Sequence, residues 1–254
     1  MTTLNRNRSS LATAAAFVLL ATATTVHADT GPNKVYGKVW AWDNYFNNSN
    51  IPISFGNWST PTWAVGVNFS SYNLYGYPAS IRGWHYGWNP ANDSLFPRQI
   101  AKTHAIPCAF SYASAGTSMA GDFAYDMFLR NDSQKSAPQL EVMVWAGNNS
   151  WPIGGQTGAS VLTAGGFTFD VWEGANKAAG YYTITFIPHG TAGKGDLPTS
   201  GRLKVDMMAF FNWLAANRGA HFNKNMYLDV VEAGCEITRG TGSISSSYFS
   251  CDAN

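Results

Sequence analysis

Leu228-Asp229-Val230-Val231-Glu232-Ala233-Gly234-Cys235-Glu236-Ile237 is the stretch that decides how this chain folds. Side chains of an extended strand alternate between two faces, so Glu232, Gly234 and Glu236 share one face while Val231, Ala233 and Cys235 share the other. One face is apolar and its opposite carries two carboxylates. Glu232 and Glu236 lie about 13 Å apart along such a strand, too far to meet at one bond, and spacing alone does not say which of them does chemistry.

The alternation recurs elsewhere. Gly121-Asp122-Phe123-Ala124-Tyr125-Asp126-Met127-Phe128 places Asp122 and Asp126 on one face, and Glu141-Val142-Met143-Val144-Trp145 groups Glu141, Met143 and Trp145 away from Val142 and Val144. Further candidate strands lie at 36–42, 63–69, 109–112, 167–172, 181–187 and 243–249, between clusters of Gly, Asn, Ser and Pro. That rhythm predicts an all-β chain of short antiparallel strands. One segment departs from it: Leu203, Met207, Phe210 and Leu214 follow steps of four, three and four, which puts them on one helical face, with Gly219 where a C-cap is expected.

Residues 1–28 carry the parts of a secretory signal in order: Arg6 and Arg8, an apolar run from Leu11 to Val26, and the small-x-small site Val26-His27-Ala28. Export and a mature chain of 29–254, roughly 226 residues in one domain, are the expectation. The net charge of +1 becomes −1 once the two arginines go. A near-neutral chain offers nothing electrostatic to nucleic acid, and no later run is apolar enough to span a membrane. Aromatic residues make up 15% of the chain, with ten Trp, against 12% charged. Flat rings that stack on the C–H faces of sugars suit a secreted carbohydrate-active protein, and they equally fill a β-sandwich core.

Cys108, Cys235 and Cys251 allow one disulfide and leave one thiol over. Any disulfide is expected to use Cys251, because tying down the end of the chain offsets fraying. These cysteines have no close ligand spacing with His85, His104, His189 or His221, so neither a metal nor another cofactor is expected.

Cleaving a glycosidic bond takes two carboxyl groups, and the chain has only four Glu: Glu141, Glu173, Glu232 and Glu236. Glu173, in Trp172-Glu173-Gly174-Ala175-Asn176, reads as an exposed charge where a strand enters a turn. Asp126, in the middle of an apolar strand, needs a partner, and a carboxyl sharing a proton would serve.

Four stretches together resemble glycoside hydrolase family 12: Tyr77-Pro78 with Gly83-Trp84-His85-Tyr86; Ala124-Tyr125-Asp126-Met127-Phe128; Glu141 to Trp145 with Pro152-Ile153-Gly154; and Tyr227-Leu228 through Glu232 to Glu236. The segment Ala216-Asn217-Arg218-Gly219 is similar to the end of that family's lone helix. The resemblance implies a two-sheet β-jelly roll of antiparallel strands, one concave sheet forming a glucan groove and a helix packed behind the other sheet. It implies Glu141 as nucleophile, Glu236 as acid/base and Asp126 as the aspartate that hydrogen-bonds the nucleophile, with Met143, Trp145, Glu232 and His85 lining the cleft. In place of the family's Asn-Asn-x-Trp the chain has Asn47-Asn48-Ser49-Asn50, so Trp40 or Trp42 is the expected replacement for the stacking Trp. Trp84 stands where the family often has a cysteine.

The reading is therefore an extracellular, monomeric, retaining endo-β-1,4-glucanase acting on plant cell-wall-type β-glucan, without nucleic-acid or membrane partners. Its rivals are a non-catalytic glucan-binding protein on the same fold and a xylanase.

Overall fold

The computed structural model describes residues 33–46, 53–56, 61–133, 137–194 and 196–254. The expected signal segment and Asn47 to Asn50 lie outside them. In chain order the strands are β1 (Asn33–Tyr36), β2 (Val39–Trp42), β3 (Ile53–Phe55), β4 (Trp63–Phe69), β5 (Ala79–Gly83), β6 (Arg98–Gln99) and β7 (Pro107–Arg130). There follow β8 (Leu140–Asn148), β9 (Gly155–Ala164), β10 (Phe167–Asn176), β11 (Tyr181–Pro188), β12 (Ser200–Asp206), the helix α1 (Met207–Asn217), β13 (Tyr227–Leu228) and β14 (Val230–Cys251).

Two very long strands organise everything else. Residues 122–130 of β7 and 230–237 of β14 form the centre of a wide sheet ordered β1-β2-β5-β14-β7-β8-β11-β10-β9. Beyond a stretch of register shifts between Ile237 and Thr241, the same two strands continue into a narrower layer, flanked by β4 with β3 on one side and β12 on the other. Their bend falls where the backbone has left-handed glycines. At Gly121 φ is +149°, and a Cβ there would run into the carbonyl oxygen of Glu236 on the neighbouring strand. The jelly roll is thus one hydrogen-bonded network folded over, and 109–112 with 121–128, expected as two strands, are parts of one. Conversely, 36–42 divides into β1 and β2 around Gly37, whose φ of +67° makes the turn.

Alternation sorts the wide sheet into a core face and a groove face. Phe123, Tyr125, Met127 and Leu129 of β7, Leu140, Val142 and Val144 of β8, and Val231, Ala233 and Cys235 of β14 all belong to the main core. Residues of opposite parity, including Asp122, Asp126, Glu141, Glu232 and Glu236, turn the other way.

The helix starts later than its spacing predicts. Leu203 lies in β12, where Leu203 and Val205 alternate inward and pair with β7; Asp206 then caps α1 by accepting from the Met208 N–H at 3.0 Å. It also packs elsewhere than expected. Phe210 meets Phe186 of β11 and Phe169 of β10, with ring centroids 4.9 and 5.4 Å apart, so α1 covers the core face of the groove sheet itself. The narrower layer ends at β12, and the helix that follows fills the space its missing strands leave over β10 and β11. Cys108 and Cys251, register partners on β7 and β14, form the disulfide; Cys235 is a buried free thiol.

Candidate active site

On the groove face a cleft of about 460 Å³ is lined by Asp126, Glu141, Met143, Trp145, Glu232, Glu236 and His85, among others. Strand register brings them together. Glu141 at the start of β8 has Phe128 of β7 and Thr183 of β11 as its cross-strand neighbours, and Asp126 lies between Met143 and Glu232. Glu236 stands opposite Asp122. Every one of these pairs puts two side chains on the same face of adjacent strands, where they are within reach of each other.

Glu141 is buried, and its carboxylate accepts hydrogen bonds from the Thr183 hydroxyl at 2.6 Å and the Tyr181 hydroxyl at 3.2 Å. Burial, opposed by the Thr183 bond and reinforced by the charge of Glu236, holds its carboxyl up at about 7. Burial also raises Glu236, while a hydrogen bond with Asp122 lowers it. Asp122 is held well above the usual carboxylate range by burial and by the Glu236 charge, so of the two it is the stronger holder of a proton. Asp126 is raised in the same sense, by burial first and then by Glu141, Glu232 and Glu236. The hydrogen bonds to Glu141 come from Thr183 and Tyr181; Asp126 neighbours it electrostatically, with its own Oδ1 buried and unbonded.

Glu232 is fully buried and binds His85 Nδ1 at 2.6 Å through Oε1, while Oε2 has no protein partner. His85 holds its position after β5 through a two-way backbone pairing with Trp88. Of the two candidate stacking tryptophans, Trp40 is completely buried and donates to the Gly83 carbonyl, so it serves the core. Trp42 packs edge-on to His85 at 5.0 Å and to Trp88 at 5.3 Å, and Trp88 is the exposed member of that cluster. Glu173 is not the exposed turn charge expected of it. It lies within β10 and takes two hydrogen bonds from Arg218 Nε, at 2.8 and 3.0 Å, which fastens the end of α1 to the sheet.

A pair of carboxyl groups in one open groove, on β8 and β14 to either side of β7 and each with a different hydrogen-bonded partner, is the arrangement that glycosidic cleavage needs. The family model described as "Glycosyl hydrolase family 12" matches residues 67–254, three-quarters of the chain and every carboxylate of the cleft. The chain belongs to glycosyl hydrolase family 12. Among its relatives in the family is "Xyloglucan-specific endo-beta-1,4-glucanase A" of Aspergillus niger, 27% identical over 230 residues that cover 84% of this chain and 82% of that protein. Another is named "Inactive glycoside hydrolase XLP1", from Phytophthora nicotianae, 26% identical over 92% of this chain and 82% of that one. Among solved structures, the native family 12 xyloglucanase of Bacillus licheniformis superposes with a TM-score of 0.71 at 24% identity, covering 87% of this chain and 95% of that chain, which supports the shared fold. Within this family 12 chain, sequence reasoning overlooked Thr183, Tyr181, Trp88 and the pairing of Asp122 with Glu236. The first two share parity in the run Tyr181-Tyr182-Thr183, but a partner strand has to be known before parity becomes contact.

Proposed function

We propose that the protein is a secreted, endo-acting, retaining hydrolase of β-1,4-linked glucan. The observation that carries this reading is the pairing of a buried Glu141, held by two hydroxyl donors, with a partly buried Glu236 that shares a proton with Asp122 in the same cleft.

Glu141, ionised, attacks the anomeric carbon as the bond to the departing oxygen breaks. Glu236 gives its proton to that oxygen, and the shortened chain leaves. A covalent glycosyl–enzyme remains. Glu236, now a carboxylate, takes a proton from water, and the resulting nucleophile displaces Glu141 to restore both groups. Asp126 supports the nucleophile through its charge and proton state. Met143, Trp145 and the His85–Glu232 pair line the part of the cleft that receives the sugar being cleaved, with the buried Glu232 holding the His85 ring in place. The cluster of Trp42 and Trp88 beside His85 offers aromatic surface farther along. Cellulose, mixed-linkage glucan and xyloglucan are the substrate classes in question, and the leader at residues 1–28 accounts for export.

Two measurements test this. Purified wild type should release reducing ends from a soluble β-1,4-glucan while chain length falls quickly, whereas Glu141→Gln should release none. Proton NMR of the first turnovers should show the β-anomer appearing before mutarotation. An α-anomer would rule out retention, and an inert wild type would favour a glucan-binding role.

A further inference from the structure

A second groove, of about 530 Å³, opens beside the catalytic cleft. Trp151 lines both, and Leu74, next to the groove residue Asn73, lines the cleft, so the two are continuous. Its walls are Trp151 and Tyr72, two aromatic rings that are 65% and 67% exposed. Such exposure would be costly to leave unused, and both rings are held in place. Trp151 lies directly on Gly193, where any Cβ would run into the indole, and it meets Trp172 edge-on at 5.5 Å. Tyr72 has the Arg239 guanidinium over its ring at 4.3 Å, and since two-thirds of the side chain stays exposed, the other face is open. The rest of the lining is Asn73, Asn149, Ser150, Thr238, Ala120 and the Gly193 backbone, with no charged side chain. Two open rings among amides and hydroxyls suit a neutral sugar.

Where the groove lies decides which sugar. Along β7 the register runs from Phe128, opposite Glu141, to Asp122, opposite Glu236, and then to Ala120 in the groove; on β14 Thr238 follows Glu236. The groove is therefore on the far side of Glu236 from Glu141. The scissile bond has to sit between those two carboxyls, so the glucan backbone passes between them and the groove lies alongside the backbone rather than in line with it.

We propose that Tyr72 and Trp151 form a side pocket for a neutral sugar branch carried by the glucan backbone, making this a site for decorated β-1,4-glucan. The inference rests on the glucan-hydrolase reading above. The test compares kcat/KM on a xylose-branched glucan oligosaccharide with that on the unbranched oligosaccharide of the same backbone length. Tyr72→Ala should lose about 3- to 10-fold on the branched substrate only, the size of one lost aromatic contact, and Tyr72→Phe should retain the wild-type preference. Equal losses on both substrates, losses that grow with unbranched backbone length, or no loss at all would each overturn the proposal. Thermal melting of Tyr72→Ala confirms that the fold is kept. A wild type inactive on both oligosaccharides would instead sink the hydrolase reading itself.

Discussion

Asp122 and Glu236 are cross-strand partners whose carboxyl groups hydrogen-bond to each other, with the Ser150 hydroxyl donating to Asp122 from the other side at 3.3 Å. A protonated Asp122 donating to Glu236 stabilises the carboxylate form of this proposed acid/base and so opposes the effect of burial. Asp122→Asn substitutes a weaker amide donor, and Glu236 should then keep its proton to higher pH. In the proposed mechanism activity on a polymer needs protonated Glu236, so the alkaline limb of kcat/KM should move upward. A limb that moves downward or stays fixed in a pH–rate profile would contradict this account of the pair.

At the other carboxyl the sign is reversed. Thr183 donates to Glu141 at 2.6 Å and favours its charged form, the form in which the proposed nucleophile attacks. Thr183→Val keeps the shape and removes the donor. The acidic limb should rise by about one pH unit, with kcat/KM at low pH falling about tenfold and little change on the alkaline side. Equal loss across the whole profile would mean that Thr183 acts through packing alone.

Function at this site costs stability. Glu141 is raised from 4.5 to about 7, so it binds its proton more tightly in the folded chain than in the unfolded one. The stability linked to that proton is complete below about 4.5 and is lost as pH climbs through about 7. Glu141→Gln has no such proton to lose. It should be more stable than wild type at pH 8 by on the order of 2 kcal/mol, with the difference closing toward pH 4, as denaturant melts at several pH values would reveal.

The disulfide should contribute to stability rather than to chemistry. Cys108–Cys251 joins residues 143 apart, at the end of the two long strands remote from the cleft. Cys108→Ser should cost about 2–4 kcal/mol in urea denaturation, with kcat unchanged at low temperature. A lowered kcat in the fully folded variant would connect that end of the strands to the cleft.

How far the sequence could be read depended on whether a property was local. Face assignment was local: the parity of Glu141, Met143 and Trp145, and of Glu232 and Glu236, was legible from period two alone and matches the groove face of the sheet. So was Trp63–Phe69, an alternating run bounded on both sides, found at those residues. Pairing was not local. Ser200–Asp206 has the alternation of a strand, yet its Leu203 also fits a helical step with Met207, and only its ladder with β7 decides between them. The break between 109–112 and 121–128 looked like two strands because Gly116 and Gly121 punctuate it, although the chain runs on through a bend. Trp40 and Trp42 were interchangeable as sequence. The Trp40 bond to the Gly83 carbonyl, made across 43 residues, is what takes it out of consideration.

Because β14 is among the last strands in chain order and sits between β5 and β7 at the middle of the groove sheet, the cleft has no early form. A growing polypeptide lacks both Glu236 and the central strand until synthesis has passed Glu236, and the edge of β7 that faces β14 stays unpaired until Cys251 is made. Pairing elements so distant in the chain also slows folding. A polypeptide cut short anywhere in β14 therefore leaves edges of β5 and β7 unpaired, and is liable to aggregate rather than to act as a weakened catalyst.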